Sequence, residues 1–236
     1  MMKYTTISDS HVHSCFSHDG NDPVMMLCDY AMKMGLYALT ITDHCECNMY
    51  EERNYAKAIK DSFVETKRAA AALNGKLHLY KGIELGQATQ NLQAAESILS
   101  ECDFDFVLGS LHNIRGLEDF YLLDYNKLDI HDLLCTYFDE IMELIAWGKF
   151  DSLTHLTYPL RYIVGEQHRE VSYEVYKDRV DDILKALIDQ NKALELNTSG
   201  LRQAIGKTMP CPTVIKRFKE LGGNLELAVK RIAEMR

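Results

Sequence analysis

Five short stretches of this chain carry side chains able to hold a metal: Ser10-His11-Val12-His13, Thr42-Asp43-His44, Gly82-Ile83-Glu84, Gly109-Ser110-Leu111-His112 and Leu153-Thr154-His155. In extended backbone, residues two apart face one side, so His11 and His13 can aim at a single ion. Neutral imidazole suits Zn, Fe or Mn, and a carboxylate such as Glu84 can bridge two ions while neutralising part of their charge. Together they suit a multinuclear site. Taken singly each signal is weak, since a lone His-x-His or Asp-His pair is mostly coincidence. His18, His78, His131 and His168 lack a comparable setting and read as solvated or structural. Cys45 and Cys47, which follow His44, read as thiols rather than ligands.

Position gives the set its weight. Short apolar or β-branched runs alternate with longer amphipathic segments, the rhythm of successive βα units. Strands are expected over residues 4–8, 38–42, 77–83, 104–108, 152–155 and 193–197, and helices over 22–35, 54–74, 91–100, 130–148, 173–190, 212–221 and 225–236. Asp22-Pro23 supplies a helix start and Gly35 a helix stop, with similar punctuation at Asn74-Gly75. On this map the His and acidic residues fall at strand ends, which in a parallel barrel converge on the carboxyl face that carries active sites. One strand is missing from the rhythm: only Gly222, Gly223 and Asn224 separate the last two helices.

The chain has 236 residues, a net charge of −9 and 47% hydrophobic residues, a globular balance that excludes disorder, collagen and coiled coil. At this length one α/β domain spanning 1–236 is the default. The acidic balance disfavours nucleic-acid and anionic-membrane partners, and no basic run opposes it. No apolar stretch reaches membrane-span length and the first residues lack a signal peptide's apolar core, so a cytoplasmic protein is expected. Seven cysteines without a CxxC pair fit reduced thiols.

The segments HVHSCFSHDGND, ITDH, KGIELG, VLGSLH and LTHL, in that order and spacing, resemble the PHP (polymerase and histidinol phosphatase) superfamily of metal-dependent phosphoesterases, over roughly residues 4 to 222. Within it, ELNTSGLR (195–202), with Ser110-Leu111-His112 upstream, is most similar to the histidinol-phosphate phosphatases of histidine biosynthesis. The resemblance implies a distorted (β/α)7 TIM-like barrel with two to three divalent metal ions, Zn, Fe or Mn. It implies a first ion on His11, His13 and Glu84, a second on Glu84, His112 and His155, and a third on Asp19 and His44. Water activated by the ions is then the nucleophile, not a side chain. A phosphate dianion also needs fixed cationic donors. Arg202 is the first choice and Arg161 the second, with Ser110 and Asn197 adding hydrogen bonds, while Asp43 supports the neighbouring site without binding metal.

The family continues with a strand ending in a Ser-Asp-Ala-His-type motif, for which there is no counterpart here. A deletion, a trimmed chain and a mobile segment absent from the sequence as numbered are the three origins. A barrel lacking its last strand would expose strand edges that a second copy could cover, although the sequence leaves the oligomeric state open. The expected substrate is a small phosphate ester, L-histidinol phosphate. The alternatives are another substrate, a nucleotide or a phosphotyrosine protein, and a metal-binding barrel without catalysis.

Overall fold

A computed structural model describes residues 7–223 of the chain. Its contacts divide it into two compact units, one reaching to Leu108 and the other starting at Gly109.

The first unit runs β1 (Ser8–Val12), α1 (Val24–Met34), β2 (Ala38–Ile41), β3 (His44–Glu46), α2 (Tyr55–Leu73), β4 (His78–Gly86), α3 (Leu92–Glu101) and the start of β5 (Phe106–Ser110). Strand β2 pairs in parallel with β1 and with β4, and the short β3 pairs in parallel with the far end of β4. Parallel neighbours need crossover segments, and α1 and α2 supply them. Every residue of β2 is buried, as expected of a parallel strand covered on both faces. Helix α1 buries Val24, Cys28 and Ala31, spaced four and three apart, in a cluster with Leu39, Ile41, Ala69, Leu73 and Leu79.

The second unit holds α4 (Ile130–Trp147), β6 (Ser152–Leu153), α5 (Tyr173–Asp189), β7 (Ala193–Leu194) and α6 (Pro212–Glu220). The Asp129 carboxylate caps α4 by accepting the backbone N–H groups of His131 and Asp132 at 2.8 and 3.0 Å. The helix then buries Leu133, Leu134, Tyr137, Phe138, Ile141, Leu144 and Ile145 along one face. Strands β6 and β7 pair in parallel across α5. Arg217 of α6 grips Asp181 of α5 through Nε and Nη2 at 2.9 and 2.6 Å.

The alternation of strands and helices is the one the sequence predicts, with shifted bounds. Strand β5 runs over Phe106–Ser110 rather than 104–108, so Ser110 lies inside it. Strands β6 and β7 stop at Leu153 and Leu194, short of the expected 155 and 197, so His155 lies two residues past its strand. The first strand is described over Ser8–Val12 rather than 4–8, so His11 lies within it and His13 one residue past it; residues 4–6 lie outside the described residues. Pro23 takes the cap position of α1, one residue earlier in the helix frame than expected. Strand β3 is new, and β4 runs on to Gly86, which places Glu84 inside the strand. The expected helix 225–236, with Asn224 before it, lies outside the described residues. Among the described residues no helix is long and apolar enough to cross a membrane, and all seven cysteines are free thiols.

Candidate metal centre

In the first unit the extended backbone from β1 presents His11 and His13 on one side, and β4 presents Glu84, which is completely buried. The two Nε2 atoms lie 3.0 Å apart, and Glu84 Oε2 stands 3.2 Å from His11 Nε2 and 3.1 Å from His13 Nε2. Ligands at roughly 2.05 Å from an ion are about 3.3 Å apart in a tetrahedral site and about 2.9 Å apart in an octahedral one. The observed separations fall between these values, so the three donor atoms fit the corners of one coordination shell. Together they are one of the groups in this unit that could hold a metal ion.

A second such group is His13, Asp19 and His44. The Asp19 carboxylate oxygens lie 2.9 and 3.0 Å from His13 Nδ1, and Oδ2 lies 3.6 Å from His44 Nε2. A carboxylate on Nδ1 fixes the tautomer and leaves the Nε2 lone pair of His13 aimed towards Glu84. His44, opposite Glu84 in the β3–β4 register, brings Nδ1 to 3.1 Å from Glu84 Oε2 and 2.9 Å from Glu46 Oε1.

The electrostatics follow from this crowding. Burial alone would lower the pKa of His44, but the carboxylates of Glu84, Asp19 and Glu46 outweigh it and raise it to about 10. His13 is raised in the same way, burial opposing while Asp19 and Glu84 prevail. Burial would push Asp19 up, yet its hydrogen bonds from His13 and His44 hold it well below the usual carboxylate range. A site with this potential holds positive charge, as protons when metal-free or as a cation.

Asp43 stands behind these residues. Its buried carboxylate accepts Ser14 N and Ser14 Oγ, both at 2.6 Å, Ser17 Oγ at 2.8 Å and Ser62 Oγ at 2.5 Å. Ser17 Oγ in turn accepts the His44 backbone N–H at 2.9 Å. Asp43 therefore fastens the turn after His13 to the start of β3 and to α2. His18, which the sequence sets aside, has its ring centroid 4.9 Å from that of His44.

In the second unit His112 and His155 face each other, Nε2 to Nε2 at 3.3 Å. The Tyr158 ring packs against both, with centroids at 5.1 and 5.0 Å. His155 has a positive φ of 24°, uncommon for a residue with a side chain, and its N–H donates to buried Glu195 Oε2 at 2.7 Å. Half-buried Arg161 opens a π-helical turn, Arg161–Glu166, and lies over the Tyr158 and Tyr162 rings at 6.0 and 5.3 Å. Ser110 is fully buried, and its hydroxyl has no partner among the described residues. Asn197 is occupied by internal bonds, accepting from Ser199 N and Oγ and donating to Glu195. Arg202 is exposed at the end of a short turn, Ser199–Arg202.

Sequence reasoning did not single out Glu46, Tyr158 or Glu195. For Glu46 the signal is available, since His44-Cys45-Glu46 has the same two-residue spacing as His11 and His13. Tyr158 and Glu195 act on His155 from three residues away and from the next strand, and spacing alone does not reveal either.

Known proteins resemble this chain in sequence and in fold. A protein of Clostridium acetobutylicum named "Probable histidinol-phosphatase" is 28% identical over 220 residues, covering 92% of this chain and 82% of that protein. The histidinol-phosphatase of Lactococcus lactis is 26% identical over 227 residues, covering 91% and 80%. The crystal structure of histidinol phosphate phosphatase from Lactococcus lactis, complexed with zinc, L-histidinol and phosphate, superposes with a TM-score of 0.76 at 22% identity, covering 98% of this chain and 94% of that one. The α/β fold of that structure is thus shared. The PHP domain model matches residues 9–199, from the strand that carries His11 to the turn after Glu195, and the chain belongs to the PHP domain family.

Proposed function

We propose that this chain is a metal-dependent phosphomonoesterase that hydrolyses L-histidinol phosphate to L-histidinol and phosphate. The observation that carries the reading is the convergence of His11 Nε2, His13 Nε2 and Glu84 Oε2 within 3.0 to 3.2 Å of one another, in a chain whose relatives bear the histidinol-phosphatase name. His11, His13 and Glu84 hold one divalent ion, and Asp19 and His44 contribute to another. In the second unit the His112–His155 pair supplies further ligands, giving two to three ions of Zn, Fe or Mn. Bound divalent cations supply an acidified water and neutralise charge on the phosphate oxygens.

The protein's own groups do the rest. Glu195 and Tyr158 fix the backbone and ring of His155, so that its nitrogen lone pair is already oriented. Asp19 holds the proton on His13 Nδ1. Arg161, steadied by two tyrosine rings, offers a guanidinium to the phosphate, with Ser110 as a hydroxyl donor; Arg202 is a second, exposed cationic donor, and Asn197 shapes its turn through the bonds to Ser199. Seven free thiols support a reducing, cytoplasmic setting.

The test is phosphate release from L-histidinol phosphate by zinc- or manganese-loaded protein, beside p-nitrophenyl phosphate and a nucleotide, with metal content measured on the same sample. Selective turnover of histidinol phosphate is expected. Glu84→Gln should lose metal and about a hundredfold or more in kcat/KM while remaining folded. Bound metal without turnover of any ester would leave a metal-binding protein and overturn the reading.

A further inference from the structure

We propose that Glu46 is a metal ligand in its own right, joining His44 Nδ1 and Glu84 around a divalent cation that takes the place of an Asp19–His44 ion, since a neutral imidazole ligates one ion only, and that the missing side chain of Gly86 makes the room its carboxylate needs. The inference rests on the metal-centre reading above and adds a residue to it.

The geometry is a property of two neighbouring strands. In the parallel β3–β4 pairing, His44 lies opposite Glu84 and Glu46 opposite Gly86. Side chains alternate along a strand, so His44 and Glu46 share one face of β3, and Glu84 and Gly86 share the matching face of β4. This patch therefore holds three potential ligands and one gap. Glu46 fills the gap: a Cβ built on Gly86 would stand 2.2 Å from Glu46 Oε2 and 2.8 Å from its carboxyl carbon. Any larger residue at position 86 would expel the carboxylate.

The donor atoms are spaced as ligands. His44 Nδ1 lies 2.9 Å from Glu46 Oε1 and 3.1 Å from Glu84 Oε2. One ring N–H can point well at only one of two oxygens. A cation seated beside Nδ1 would satisfy both carboxylates, and these two separations match the ligand edges of about 2.9 to 3.3 Å in octahedral and tetrahedral shells. Glu46 is buried, and a buried carboxylate needs positive charge beside it.

Glu46→Gln separates a ligand from an orienting group. The amide keeps an oxygen able to accept from His44 Nδ1, so a purely orienting glutamate is replaced without loss, whereas a charged ligand is not. Wild type, Glu46→Gln and Gly86→Ala, each confirmed as folded by circular dichroism, are equilibrated with buffered zinc, and zinc per chain is measured by mass spectrometry. The expected result is one equivalent fewer, or at least about tenfold weaker binding of one equivalent, in both variants. Wild-type zinc content and affinity in Glu46→Gln would overturn the inference while leaving the metal centre intact. If the wild type itself takes up no zinc, the proposed function falls as well.

Discussion

Glu84 Oε2 has three imidazole nitrogens within 3.2 Å, from His11, His13 and His44. Without metal, protons must supply the positive charge, and His44 carries the clearest trace of this, with its pKa raised from 6.5 to about 10. A raised histidine pKa stabilises the fold fully below its unfolded value and loses that contribution as pH rises through the folded value. Metal-free protein should therefore lose stability between about pH 6.5 and about pH 10, read by denaturant titration. Zinc loading or His44→Gln should flatten that slope; an unchanged slope in His44→Gln would assign it to another group. The two candidate phosphate arginines differ in setting. Arg161 is half-buried against two tyrosines, whereas Arg202 is exposed. Arg161→Ala should raise KM for the phosphate ester about tenfold, the cost of one charge-assisted hydrogen bond, with metal content unchanged. Arg202→Ala should do less, and the reverse order in steady-state kinetics would exchange their roles.

Between elements, Asp43 is the chief fastener of the first unit. It sits between β2 and β3, and its four accepted hydrogen bonds reach the turn at Ser14 and Ser17 and helix α2 at Ser62. Asp43→Asn replaces an acceptor oxygen by an NH2 group facing donors. Loss of about 3 kcal/mol is expected in chemical denaturation, together with weaker zinc binding as the turn bearing Asp19 loosens. The elements that sequence made legible are those whose signal is local. Helix α1 reads from Val24, Cys28 and Ala31 at helical spacing, β2 from its short run of apolar and β-branched residues, and the His-x-His pair from the alternation of extended chain. Strand β3 was hidden because His-Cys-Glu has no β-branched residue and is a strand only through β4. Glu195 was hidden for a similar reason, since its role at His155 depends on β6 and β7 lying side by side.

For the whole molecule, a net charge of −9 makes cation uptake favourable over and above the local ligands. Ions that bind only the folded chain stabilise it by mass action, about 2.7 kcal/mol at a hundredfold excess over Kd. For a chain of this size zinc should raise the thermal midpoint by about 5 to 10 °C, and a chelator should reverse the gain. A thermal scan with no shift would mean that the ligand set does not close on an ion. The pairing of β3 with β4 carries a further consequence. Only when His44 stands opposite Glu84 does Glu46 meet Gly86; a slip of one residue sets His44 against the apolar Ile83 or Leu85 and turns the donors away from each other. An ion bound here thus rewards a single alignment of a three-residue strand too short to choose its own, and acts as a proofreader of the fold whose chemistry it serves.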